Sequence, residues 1–146
     1  MCELKCPLCE DCVVKTAMLL MFYCVYAIRV WDYVQLRTGL TLLIMDDTVA
    51  QIWHLSSSTA TGGERGRRLW ATRFMVVLWH VWKQRNETIF RGLVMHPAIL
   101  ASKIIEEMGL WVRFCRPIEA SNPSRAMGLG IIREQFRALY WCRIVM

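Results

Sequence analysis

Cys6 and Cys9 flank Pro7 and Leu8 in a Cys-x-x-Cys turn, and Cys24 follows. Thiolates are soft ligands, and two of them on such a turn can reach one ion with the tetrahedral geometry that zinc adopts. Cys24 is a suitable third ligand. A closed structural site takes four ligands, and no histidine precedes His54. Cys12 or Cys2 can supply a fourth thiolate. The alternative is a group of reduced thiols that hold no metal.

Other reactive side chains are less organised. Asp46-Asp47 has the look of a polymerase metal-binding pair, but two-metal phosphoryl transfer needs a further carboxylate and basic residues around it. The pair is better read as a helix N-cap. His54, His80 and His96 are scattered along the chain, with no Cys or Asp partner at catalytic spacing. Gly62-Gly63 lacks the Lys-Ser/Thr of a phosphate loop. A non-catalytic protein is expected.

The elements that must position the cysteines follow from periodicity. Leu19, Tyr23, Tyr26, Val30 and Val34 recur at helical spacing and predict a helix over residues 15–36, with Thr38-Gly39 as its stop. A short periodic piece covers residues 49–55. Residues 56–63 are Ser, Thr, Ala and Gly only, which reads as a linker unable to bury a face. Trp70, Phe74, Val77, Leu78, Val81 and Trp82 give a second long helix, residues 67–90, a wide apolar face. Gly92 ends it, and Pro97 suits the first turn of a third helix. Leu100, Ile104, Met108 and Trp111 line one face of that helix, with Lys103, Glu106 and Glu107 on the other. Residues 131–145 suit a last amphipathic helix. The predicted fold is mainly α, a small irregular Cys-rich knuckle followed by three to four packed helices. Its parts are residues 1–36 (knuckle and first helix), 37–66 (connector), 67–114 (helical pair) and 115–146 (tail).

Bulk composition agrees with a packed chain. The 146 residues are 55% hydrophobic and 21% charged, which excludes global disorder. A net charge of +6, mostly from arginine, is compatible with nucleic acid or an anionic surface. Arg65, Arg67, Arg68, Lys83 and Arg85 are the candidate phosphate contacts. Residues 79–90 run aromatic, then basic, then aromatic, a pattern that can stack on single-stranded bases. The competing reading buries Trp82 and Phe90 against the third helix. The apolar run over residues 16–28 is short for a bilayer, which takes about 20 residues. The N-terminus lacks the apolar region of a secretory signal, so an intracellular protein, in nucleus or cytoplasm and not secreted, is expected.

Two of these stretches carry a family resemblance. Cys6-Pro7-Leu8-Cys9, then Leu19-Leu20, then Cys24-Val25-Tyr26-Ala27-Ile28-Arg29-Val30-Trp31, resembles the reverse-transcriptase zinc-binding domain of plant LINE-type (non-LTR) retrotransposon proteins. The string from Trp79 to Phe90 is similar to the tryptophan, Lys/Arg-Asn and Ile/Val-Phe signature that follows that domain. Residues 97–112 resemble its next helix. The resemblance covers residues 6–114 and implies a remnant of the region C-terminal to a polymerase, whose zinc-binding part contacts nucleic acid. The family pattern is Cys-x2-Cys, then His-x4-Cys. Cys6, Cys9 and Cys24 match it, and the histidine position falls on Leu19, an aliphatic side chain that cannot ligate zinc.

The expected function is therefore degenerate zinc binding and binding of RNA or single-stranded DNA, without catalysis. A second reading is a helical module that binds a protein partner through its aromatic surface. A third is membrane association through residues 16–28.

Overall fold

The structure is a computed structural model and describes residues 5–9, 16, 19–44 and 48–114. A π-helical turn, Leu19–Tyr23, leads into α1, Val25–Thr38. Three more helices follow: α2 (Val49–Ser58), α3 (Gly63–Arg91) and α4 (Pro97–Phe114). The predicted mainly α fold with a Cys-rich knuckle is observed among the described residues. The candidate helix over residues 131–145 lies outside them.

The first helix differs from its expected form. Its backbone breaks at Cys24, which is extended (φ −64°, ψ 133°) and serves as N-cap of α1. The break shifts the phase of the apolar stripe. Phe22, not Tyr23, is buried, and Tyr23 is 40% exposed. Beyond the break the expected periodicity holds, with Tyr26, Val30 and Val34 buried together with Ala27 and Trp31. Gly39 ends α1 at φ 66°, and its N–H bonds the Gln35 carbonyl, a stop that glycine adopts without a Cβ penalty.

Two further boundaries are corrected. The N-cap of α2 is Thr48, whose hydroxyl accepts the Gln51 N–H at 3.3 Å; Asp46 and Asp47 lie outside the described residues. The supposed linker is also shorter than its composition suggests. Ser56, Ser57 and Ser58 form the last turn of α2. Ser56 is fully buried because its hydroxyl accepts the Leu43 N–H at 2.8 Å. Helix α3 then starts at Gly63, four residues earlier than the apolar pattern alone places it. That early start brings Gly66 onto the Thr61 carbonyl, where a Cβ would sit 1.7 Å from the oxygen. Only a residue without a side chain fits there.

An aromatic cluster joins these pieces. The Phe74 ring on α3 lies 5.0 Å from Trp70, 5.2 Å from Trp53 on α2, 5.5 Å from Trp31 on α1 and 6.0 Å from Phe22 in the π-turn. Rings at these separations add to the stability that burial alone supplies. The two buried indoles among the described residues each have a polar partner: Trp31 Nε1 donates to the Met21 carbonyl at 2.9 Å, and Trp70 Nε1 to the Thr41 carbonyl at 3.1 Å. Helix α4 packs on α1 and α3 through Leu100, Ile104 and Met108, which are buried.

Candidate metal centre

Cys6 and Cys24 are fully buried, and Cys9 is partly so. The backbone break at Cys24 makes their meeting possible. Placed before the first turn of α1, Cys24 brings its Sγ to 3.4 Å from that of Cys6. All three sulfurs lie within 4.8 Å of one another, close enough to hold one metal ion. Cys24 is thus a cap residue rather than a residue within the helix, as the unbroken periodicity implied. Cys12 and Cys2 lie outside the described residues.

Burial is the main influence on the Cys24 thiol and pushes its pKa well up, since a thiolate there loses solvation. The neighbouring Cys9 and Cys6 thiols push in the same direction. The amides of Ala27 and Tyr26 pull the other way, although neither makes a regular capping bond to the sulfur. Without a cation Cys24 therefore favours the neutral thiol, and a bound cation would reverse that preference.

Helix α1 and the α3–α4 turn enclose the outer side of this cluster. Tyr26 donates its hydroxyl to the Met95 carbonyl at 2.6 Å, tying the start of α1 to that turn. An open cavity of about 440 Å³ lies beside Cys9, lined also by Tyr26, Arg29 and His96. Sequence spacing gave no sign of His96 there, because it is 87 residues from Cys9. Its Nδ1 accepts the Ala98 N–H at 3.3 Å, so it is engaged in starting α4. Leu19, at the family's histidine position, is the first residue of the π-turn.

The candidate phosphate contacts form two groups on α3. Arg65, Arg67 and Arg68 are exposed near its start, and Arg68 pairs with Glu64. Lys83 is exposed and Arg85 half-buried, roughly 24 Å further along the axis at 1.5 Å per residue. The Arg85 Nε is buried with no hydrogen-bond partner among the described residues. The reading that buries Phe90 is corrected: Phe90 is 81% exposed, and Trp82 is only half-buried. The reason is rotational phase. The core-facing side of α3 carries Trp70, Phe74, Val77, Val81 and Gln84, and Phe90 falls on the opposite side.

One further pair was not legible from spacing. His80 Nε2 lies 2.6 Å from a Glu107 carboxylate oxygen across α3 and α4, and Trp111 Nε1 donates to the other oxygen at 3.2 Å. Glu107 therefore does not belong to the solvated face assigned to it from sequence. The hydrogen bond from His80 is the main reason its pKa lies below the usual carboxylate value, against the opposing effect of burial.

Comparison of the chain with protein-family models, with curated proteins and with solved structures finds no match. None of the described helices is long and apolar enough to cross a membrane.

Proposed function

We propose that this chain is a non-catalytic, metal-stapled helical module descended from the C-terminal region of a retrotransposon reverse transcriptase, and that it binds single-stranded nucleic acid. The observation that carries the reading is the convergence of Cys6, Cys9 and Cys24 within 4.8 Å. Zinc suits this donor set. With Zn–S bonds of about 2.3 Å, tetrahedral ligands are separated by about 3.8 Å, close to the spacing of these sulfurs. The three thiolates come from two segments, so zinc would fasten the knuckle to the start of α1.

The family histidine position is occupied by Leu19, so affinity should fall below that of a four-ligand site. Metal content of the purified protein, and cobalt(II) titration followed by the thiolate charge-transfer band, test this directly. One metal per chain is expected in the wild type and none in Cys24→Ser. Leu19→His should tighten binding. A wild-type protein with no thiolate–metal band at saturating cobalt would remove the metal from the proposal. The nucleic-acid part rests on the basic surplus and on the resemblance of residues 79–90.

A further inference from the structure

Helix α3 has two unlike sides. Its inner side builds the core. Its outer side carries Trp79, Trp82, Lys83, Asn86 and Phe90, which fall within roughly 100° of one another at 3.6 residues per turn. Trp79 and Trp82 stack on each other, with centroids 5.1 Å apart and ring planes 24° from parallel.

 Both tryptophans are half-buried, Lys83 is exposed, and Phe90 is 81% exposed. The aromatic strip from Trp79 to Phe90 is about 16 Å long at 1.5 Å per residue.

The charge on this helix is one-sided. It carries seven Arg and Lys side chains against two glutamates, a net +5. Both glutamates are matched by an arginine one turn on, Glu64 by Arg68 and Glu87 by Arg91. Arg65, Arg67 and Lys83 form no ion pair among the described residues. An exposed Phe90 ring and a half-buried indole pair, beside cations that form no close ion pair among the described residues, suit a ligand that has both flat rings and repeated negative charge.

From this we infer that the outer side of α3 is a stacking platform for single-stranded nucleic acid, with bases on Trp79, Trp82 and Phe90 and phosphates on Lys83 and the arginines toward the helix start. The inference rests on the nucleic-acid part of the function proposed above and assigns it a surface. A duplex keeps its base faces covered, so single strands are preferred. Because every base has a π face, sequence preference should be weak.

The test uses the full chain and fluorescence anisotropy of labelled oligo(dT), oligo(rU) and a duplex. Phe90→Ala and Trp79→Ala should each weaken single-strand binding by about 10-fold, the scale of one lost base–aromatic stack. Trp79→Phe keeps a π face and should recover most of that loss. Lys83→Ala should lower the dependence of log K on log salt by about 0.7, the value for one phosphate contact on a single strand. Circular dichroism of each variant monitors the fold, which Phe90 hardly supports. Equal binding by wild type, Phe90→Ala and Trp79→Ala would overturn the platform while leaving nucleic-acid binding intact. Failure of the wild type to bind either oligonucleotide at low salt would overturn the function reading as well. If Phe90→Ala instead abolishes concentration-dependent self-association and leaves oligonucleotide binding unchanged, the surface serves protein contact and the inference fails.

Discussion

The cysteine knuckle with its π-turn and the α3–α4 hairpin reach order by different means. In the hairpin, side chains at helical spacing meet across two regular elements, and Phe74, Val77, Val81 and Ile104 are fully buried. In the knuckle, regular backbone stops at Cys24, and three thiols converge where a continuous helix would have kept them apart. The hairpin can be stabilised by apolar burial alone. The knuckle places polarisable, ionisable groups in the interior, where their best compensation is a shared cation. The aromatic cluster centred on Phe74 joins the two, since it reaches Phe22 in the π-turn.

Breaking that junction should have the largest effect. Phe74→Ala removes a fully buried ring from contact with four others, and such truncations cost about 3–5 kcal/mol. Urea denaturation, followed by tryptophan fluorescence and by circular dichroism, should show both signals moving to lower urea together. If only the fluorescence midpoint moves, the hairpin is stable without the knuckle, and the two regions are independent.

How much of this was legible in the sequence depends on the same contrast. The hairpin was readable because Trp70, Phe74, Val77 and Val81 repeat along one face, and Gly92 and Pro97 punctuate the ends. The knuckle was readable only as a list of ligands. Its shape depends on the break at Cys24, and no proline or glycine marks that position. The run from Leu19 to Val34 looks helical throughout, although the chain changes phase within it. The cap of α2 was missed by one residue because Asp47 and Thr48 are both good capping types. The buried Ser56 was hidden in a serine-rich run, where composition says nothing about a hydroxyl that accepts a distant amide. His80–Glu107 pairs residues 27 apart, and only the crossing of α3 and α4 brings them together.

Metal should act on the knuckle more than on the hairpin. Zinc present at about 100 times its dissociation constant adds about 2.7 kcal/mol of stability if it binds only the folded chain. Hydrogen exchange with and without a chelator should locate the effect. Protection is expected to fall over residues 19–30 on chelation and to change little over residues 74–84, and Cys24→Ser should show no response to zinc. Uniform loss across both regions would mean that the metal supports the whole fold rather than the knuckle.

A pair of glycines sharpens the contrast between close packing and open surface. At Gly66 a Cβ would meet the Thr61 carbonyl oxygen at 1.7 Å, whereas at Gly109 on α4 it would meet nothing within 4 Å. Gly66→Ala should destabilise by about 1–3 kcal/mol as the α2–α3 connection gives way. Gly109→Ala should stabilise by roughly 0.5–1 kcal/mol through helix propensity. Thermal melts of the two variants are expected to shift in opposite directions. A shift of the same sign in both would mean that the Thr61 carbonyl moves aside at little cost.

The smallest effect concerns acid. The Glu107 carboxylate is hydrogen-bonded by His80 and Trp111, and the bond to His80 is the main cause of its lowered pKa. A carboxylate with a depressed folded pKa adds stability that is fully present above its unfolded pKa, about 4.3, and is lost as the pH falls through the folded value. Glu107→Gln has no such charge to lose. Its side chain is 25% exposed, so the contribution is discounted for solvent screening to about 1 kcal/mol. Between about pH 6 and pH 3 the wild type should therefore lose about 1 kcal/mol more than Glu107→Gln, measured as the difference in urea midpoints. Metal-bound thiolates also protonate in acid, so the comparison belongs in chelator, where the knuckle adds no acid-sensitive ligand. Parallel acid limbs for the two proteins under those conditions would show that the hairpin draws no stability from the His80–Glu107 contact and is held by apolar packing alone.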